Sequence, residues 1–229
     1  FRQNAIEELF PVAAANDVGI IVRLPLASGV LSGKMKRDQV FRAIRPFRDA
    51  GIELDIVQLT PIAIYNAVAY GVLEDLPNAA DYDPDDPPKS VAVISMGTDT
   101  TDLVVTNGFR IWQRSIPIGG SHFTKQLTNE MKLTFAKAEQ LKRNARQAED
   151  PKAVFQAMRP VFNDFVQELQ RSLGYFRSID RRAQISHAVA LGNAMLLPGL
   201  EPFIEKNLDL PVKRLQEFRH LTGSSVVSA

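Results

Sequence analysis

The 229-residue sequence contains no cysteine, which excludes disulfide scaffolds, thiol nucleophiles and thiolate metal sites together and fits a reducing compartment. Histidine is almost as scarce: His122, His187 and His220 lie too far apart for a sequence-local metal motif. No apolar run approaches the roughly 18–20 residues of a bilayer-spanning helix. Phe1-Arg2-Gln3-Asn4 also lacks the charged-then-apolar layout of a signal peptide. The expectation is a soluble cytoplasmic protein. The chain starts on Phe1 rather than Met, as a fragment or a processed product does. Charge of one sign is not in excess either. With 27 basic and 26 acidic residues the net charge is +1, which argues against holding nucleic acid by bulk charge as the main role.

What is present is ordinary for a folded domain. Apolar residues make up 45% and charged residues 23%, and the length suits one large domain or two small ones. The first stretch reads as an Ala-rich helix ending near Asn16, then the β-branched run Gly19-Ile20-Ile21-Val22 as a strand. A loop follows, Arg23 to Lys34. From Gln39, the spacing of Phe41, Ile44 and Phe47 predicts a short helix closed by Gly51 at a C-cap position. A strand over Leu54–Leu59 is expected next, then a helix from Thr60-Pro61 with Pro in the favoured first turn. Residues 75–90 hold Pro77, Pro84, Pro87 and Pro88 with five aspartates. That composition buries little and reads as an exposed linker between domains.

Beyond the linker, Val91–Ile94 and Leu103–Thr106 read as strands around the loop Gly97-Thr98-Asp99-Thr100-Thr101-Asp102. Asn107-Gly108 is a hairpin signal, and Arg110–Ile116 supplies the return strand. Helices are expected near 123–132, after a Thr134 cap to about 146, and from Asp150-Pro151 onward. The last carries an apolar stripe at spacings of three and four from Val154 to Phe176, with Pro160 expected to kink or split it. A strand over 185–191, a turn at Gly192-Asn193-Ala194 and a helix over 198–207 complete the reading. The tail from 223 is expected to fray.

The loop at 97–102 is the chemically suggestive segment. Glycine lets the chain turn so that amides converge, and small hydroxyl side chains add donors without bulk, which suits a polyphosphate. Taken alone, the segment reads better as an ordinary polar hairpin loop. Glu139 and Lys142, three apart on one helix face, suit a surface ion pair, and Gly192-Asn193 suits a plain strand-to-helix turn. Basic helix faces at Lys142, Arg143 and Arg146, and at Arg171, Arg177, Arg181 and Arg182, read as solvated or as contacts for acidic segments or a membrane surface.

Two resemblances add to this. Residues 1–37, through Arg23-Leu24-Pro25-Leu26-Ala27-Ser28-Gly29 to Gly33-Lys34, resemble a late strand and loop of aldo-keto reductases. One such unit cannot close a barrel, and the reductase's catalytic set maps onto none of these residues. Further on stand, in order, Arg114-Ser115-Ile116-Pro117-Ile118-Gly119-Gly120, Ala138-Glu139-Gln140-Leu141-Lys142, Arg171-Ser172-Leu173-Gly174-Tyr175-Phe176 and Leu191-Gly192-Asn193-Ala194. Through these motifs the chain, from about 39 to 221, resembles the PilM family of type IV pilus assembly proteins, which are actin-like ATPases.

The resemblance implies an α/β, actin-like (ribonuclease H-like) fold with a mixed sheet and a truncated first domain. In its terms, residues 38–74 are a remnant of that first domain, 75–90 the linker, 91–222 the second domain and 223–229 a tail. It further implies ATP and Mg²⁺, with Gly97, Thr98, Asp99 and Thr100 at the phosphates. Glu139 and Lys142 would border the ribose, and Gly192 and Asn193 the base. The implied role is a nucleotide-binding scaffold for pilus or type II-like secretion assembly, at most a weak ATPase. The implied partner is a segment of a PilN-like inner-membrane protein docked largely through the first domain, with localisation in the cytoplasm or peripheral at the inner membrane. A functionless fusion or a reductase-related fragment are the alternatives. A truncated domain exposes surface its missing half covered, so self-association is expected. In two places the sequence departs from the family's pattern: the first phosphate loop has no counterpart in it, and Ser95 stands where the second phosphate loop ordinarily begins with an aspartate. Serine does not supply the carboxylate that favours Mg²⁺, although Asp99 and Asp102 lie nearby.

Overall fold

The computed structural model describes residues 37–51, 58–73 and 76–215. The helix and strand expected before residue 17 and at 19–22, the reductase-like loop, most of the strand expected at 54–59 and the tail from 216 lie outside the described residues. The chain divides into two compact units, residues 1–62 and 63–229. The division falls upstream of the stretch 75–90.

In the first unit, helix α1 spans Arg37–Asp49. Arg45 and Asp49 pair across one turn at 3.4 Å, and the Arg48 guanidinium lies 5.7 Å from the Phe41 ring centre. The helix ends where the sequence predicts. Gly51, at φ +72°, takes the left-handed position that glycine accepts without strain, and its amide donates to the Arg48 carbonyl at 3.0 Å.

The second unit is built on a five-stranded mixed sheet. Strands β1 (Ser90–Met96), β2 (Thr101–Thr106), β3 (Ile111–Ile116), β4 (Ile185–Leu191) and β5 (Val212–Arg214) take the order β3-β2-β1-β4-β5. The first three form an antiparallel meander, while β4 and β5 run parallel to β1. Parallel neighbours need long crossovers. Helices α3 (Gly120–Met131), α4 (Phe135–Arg143) and α5 (Pro151–Ile179) supply one, and α6 (Leu200–Leu208) the other.

Side-chain alternation splits the sheet into two buried faces, as a strand covered on both sides requires. Ala92, Ile94 and Met96 of β1 join Leu103, Val105, Ala188 and Ala190 in the main core, under Phe123, Leu127, Phe165 and Leu169 of the helices. The intervening Val91, Val93, Val104 and Val189 meet Ile64 and Val68 of helix α2 (Thr60–Gly71). The apolar run at 91–94 therefore packs on both sides.

Helix α5 shows how the local signals act together. The Asp150 side chain caps it by accepting from the Ala153 amide at 3.0 Å, and Pro151 occupies the first turn, where no amide donor is needed. Of the predicted stripe, Val154, Met158, Phe162, Phe165, Val166, Leu169, Leu173 and Phe176 are buried. Pro160 does not split the helix, which runs through it for 29 residues. The proline is solvent-exposed, as is Gln156 one turn before it, so the carbonyl left without a helical partner can be hydrated. The Asn107-Gly108 signal gives a four-residue connection in which the Asn107 side chain accepts from the amides of Phe109 and Arg110. The stretch 76–89 is mostly exposed, yet Tyr82 stacks on Phe109 with ring centres 4.5 Å apart.

Candidate functional site

The β1–β2 loop, residues 97–100, is shaped by where its carbonyls go. The Gly97 amide donates to the Thr100 carbonyl at 2.9 Å, closing the turn. The Gly97 and Thr98 carbonyls accept from the amides of Gly120 and Ser121, at 2.9 and 2.7 Å, where α3 begins. Ser121 Oγ donates to Asp99 Oδ1 at 2.7 Å. The loop thus spends its acceptors inward, on amides that a helix N-terminus otherwise leaves unpaired. Among the described hydrogen bonds, none uses the amides of Thr98, Asp99 or Thr100, and all three residues are exposed. Successive unspent amides on one turn form a concavity suited to an anion.

Three glycines let the backbones come this close. A Cβ on Gly119 would lie 2.6 Å from the Thr98 carbonyl oxygen, and one on Gly120 would lie 2.9 Å from the Ala194 Cβ. Gly192, at φ +90°, is held to glycine twice over, because a Cβ there would also meet the Met96 carbonyl oxygen at 2.3 Å. The carboxyl ends of parallel neighbours β1 and β4 therefore meet the start of α3 at one end of the sheet. In open α/β sheets ligands bind at that end. Asn193 opens the short 3-10 turn Asn193–Leu196 and is exposed there.

Glu139 and Lys142 sit on α4, behind this end. Lys142 Nζ donates to the Gly120 carbonyl at 3.0 Å, to Thr124 Oγ1 at 2.9 Å and to Glu139 Oε2 at 2.6 Å, which uses all three of its donors. Its side chain is only 12% exposed. Thr124, fully buried, donates in turn to Glu139 Oε2 at 2.6 Å, and Arg143 Nε donates to Oε1 at 3.0 Å. Burial raises the Glu139 carboxyl, but the hydrogen bonds from Lys142, Thr124 and Arg143 and the charge of Lys142 outweigh it and hold the group at about 2.

The structure thus brings the sequence-predicted residues to one end of the sheet, with Lys142 tied to the backbone of Gly120. Thr124, Gly119, Gly120 and Ser121 were not picked out by the sequence reading as site residues. Their signal was the Gly-Gly-Ser start of α3, with Thr124 one turn after Gly120. Ser95 pairs with Asp102 across the β1–β2 ladder, and no group of three metal-ligating side chains occurs among the described residues. His122 Nδ1 accepts from the Gly119 amide at 3.1 Å, which accounts for it as part of the turn into α3.

The mixed sheet with crossover helices, and the glycine-lined end of its parallel strands, define an actin-like α/β domain. It superposes on three solved structures of that type. The PilM–PilN type IV pilus biogenesis complex gives a TM-score of 0.64 at 20% identity, over 94% of this chain and 63% of that one. The ethanolamine utilization protein EutJ from Carboxydothermus hydrogenoformans gives 0.60 at 17%, over 79% and 57%. MreB5 of Spiroplasma citri, bound to ADP, gives 0.53 at 14%, over 79% and 61%. The chain belongs to the family of the type IV pilus assembly protein PilM, whose family model matches residues 17–229. That match takes in residues 17–37, most of the segment that resembles a reductase loop. The chain spans about 63% of the length of the PilM chain it superposes on.

Proposed function

We propose that this chain is the nucleotide-holding part of a PilM-type scaffold that acts at the cytoplasmic face of the inner membrane in type IV pilus or type II-like secretion assembly. The observation that supports this most is the run of unspent amides at Thr98, Asp99 and Thr100, on a loop whose Gly97 and Thr98 carbonyls are spent on α3 and whose Thr100 carbonyl is spent on the turn itself. These amides would take phosphate oxygens of ATP. Gly192, without a Cβ, and Asn193 would border the base, and Glu139 would accept from a ribose hydroxyl. Lys142 contributes by fixing Gly120, and through it the Gly97 carbonyl. The triphosphate would supply the negative charge that these amides face.

Among the described residues, no cluster of carboxylates forms a seat for Mg²⁺ of its own. Ser95 replaces the carboxylate, and Asp99 is engaged by Ser121. The reading is therefore one of binding and scaffolding, with weak turnover at most. In this account residues 38–74 are the end of a first actin-like domain, 75–90 a connection and 91–222 the second domain. The structural likeness to a PilM–PilN complex supports a PilN-like cytoplasmic segment as partner.

The test is thermal unfolding of the full chain with and without millimolar ATP. A ligand specific to the folded state stabilises it by about 2.7 kcal/mol at a hundred times its dissociation constant. The expected outcome is a saturable rise that Gly97→Val abolishes while the far-ultraviolet dichroism is unchanged. No rise in a cooperatively folded chain removes the nucleotide from the account.

A further inference from the structure

At the end of the sheet opposite the 97–100 loop, a cleft of about 330 Å³ opens between the strand ends and the C-terminal turns of α5. Val105, Ile111, Trp112, Phe176 and Ile179 form its apolar lining, with Arg110 and Asp180 at the polar side. Trp112 lies tilted against Tyr175 and Phe176, with ring centres 6.4 and 5.6 Å away. Apolar side chains remain uncovered alongside: Tyr175 is 58% and Ile179 56% exposed. Next to them runs β3, which among the described residues pairs with β2 alone and forms one edge of the sheet. Alternate residues of an edge strand turn their amides and carbonyls outward, ready to pair with a further strand.

The charges beside this strip select the partner. Arg114 and Arg171 both pair with Glu168, and Arg110 pairs with Asp180. In these three pairs the arginine is the more exposed member, 38% and 65% against 21%, and 46% against 25%, while in the Arg182–Asp85 pair beyond the cleft the carboxylate is. Glu168 and Asp180 are the less accessible charges, while Arg114 and Arg171 keep part of their side chains open to solvent and Arg110 lies over the Tyr82 ring at 5.7 Å. An edge strand, an apolar cleft large enough for one aromatic side chain and an arginine border match the three components of an extended acidic peptide bound by strand addition.

We propose that β3 and the C-terminal half of α5 form a docking site for an extended, acidic partner segment that adds to the sheet edge and seats one apolar side chain in the cleft. The site lies within the second unit and is independent of the nucleotide reading.

Trp112 is the chain's sole tryptophan and lines the cleft, so its emission reports on occupancy directly. The probe is a ten-residue peptide with one central Phe, Val at alternate positions and Glu between and flanking them. It is titrated into the full chain beside a twin carrying Lys for Glu and a twin N-methylated at alternate residues. The proposal predicts a saturable blue shift with the Glu peptide, binding about tenfold or more weaker with the Lys twin, and loss of binding with the N-methylated twin. Arg171→Glu weakens the Glu peptide, and Ile179→Glu with Tyr175→Ser removes its binding; these three exposed positions are substituted without touching the core. The proposal is overturned if the Glu peptide gives no saturable shift, if the Lys twin or the N-methylated twin binds as well, or if the double variant binds normally. A dimer in sedimentation that the double variant dissociates would assign the face to a second copy of the chain and overturn the peptide reading.

Discussion

Replacing Gly192 by Ala tests the close approach on which the site edge depends. The residue sits at φ +90°, ψ 148°, in a region essentially restricted to glycine, where another residue costs roughly 1–3 kcal/mol in backbone strain alone. The added Cβ would also lie 2.3 Å from the Met96 carbonyl oxygen. Backbone is not the movable end of a flexible side chain, so β1 and β4 must part, and core contacts of Met96 and Ala190 are lost with them. The total is about 3–5 kcal/mol, a large share of the roughly 5–15 kcal/mol that holds a typical domain together. Gly97→Ala is the internal control. Its Cβ would lie 3.1 Å from the Thr100 carbonyl oxygen with no left-handed backbone, a contact that a shift of the exposed turn by roughly a few tenths of an ångström relieves, and the expected cost is within about 1 kcal/mol. Urea unfolding followed by circular dichroism and Trp112 emission reads both. With a slope of about 2 kcal/mol per molar, Gly192→Ala lowers the midpoint by roughly 1.5–2.5 M. A midpoint within about 0.5 M of the parent, or an equal loss from Gly97→Ala, would refute the steric reasoning.

Thr124→Val keeps the shape but removes the hydroxyl shared by Lys142 and Glu139, and should cost about 1–3 kcal/mol in urea unfolding. Because the Glu139 carboxyl is held at about 2, below its unfolded value near 4.3, it contributes stability that is fully present above about pH 4.3 and is lost as pH falls toward 2. The full depression corresponds to about 3 kcal/mol, which solvent screening at this partly exposed site reduces to roughly 1–2 kcal/mol. Glu139→Gln should therefore destabilise the chain at pH 7 and flatten the acid limb of a stability-against-pH curve; an unchanged limb contradicts it. Asp150→Ala removes the cap of α5 and should lower stability by about 1 kcal/mol, with Asp150→Ser restoring most of it.

The parts of the fold that rest on local signals were legible. The Asp150-Pro151 start of α5, its eight-residue buried stripe, the Thr134 cap and the both-sides-buried run at 91–94 were all readable from spacing and residue type. Pro160 misled because a helix tolerates proline where the freed carbonyl reaches water, and exposure is not written in the local sequence. Strand β5 was missed because three residues, Val212–Arg214, carry too little alternation to signal a strand. Its place is set by parallel pairing with β4. At the candidate site the glycines were legible as turns, but what each one approaches was not: the Met96 carbonyl at Gly192 and the Ala194 side chain at Gly120 are tertiary contacts. Lys142 was legible as a partner of Glu139 at helical spacing. That all its donors are used, two of them on α3, follows only from the packing of α3 against α4.

The central claim, that the 97–100 loop holds phosphate with its own amides, is tested most directly by titrating ATP into the isotope-labelled chain and following backbone amide resonances. The account predicts that the amides of Thr98, Asp99 and Thr100 shift together and saturate, with Gly192 and Asn193 following, and that Gly97→Val removes the response. Saturable shifts confined to other parts of the chain, or none at millimolar ATP, would contradict it.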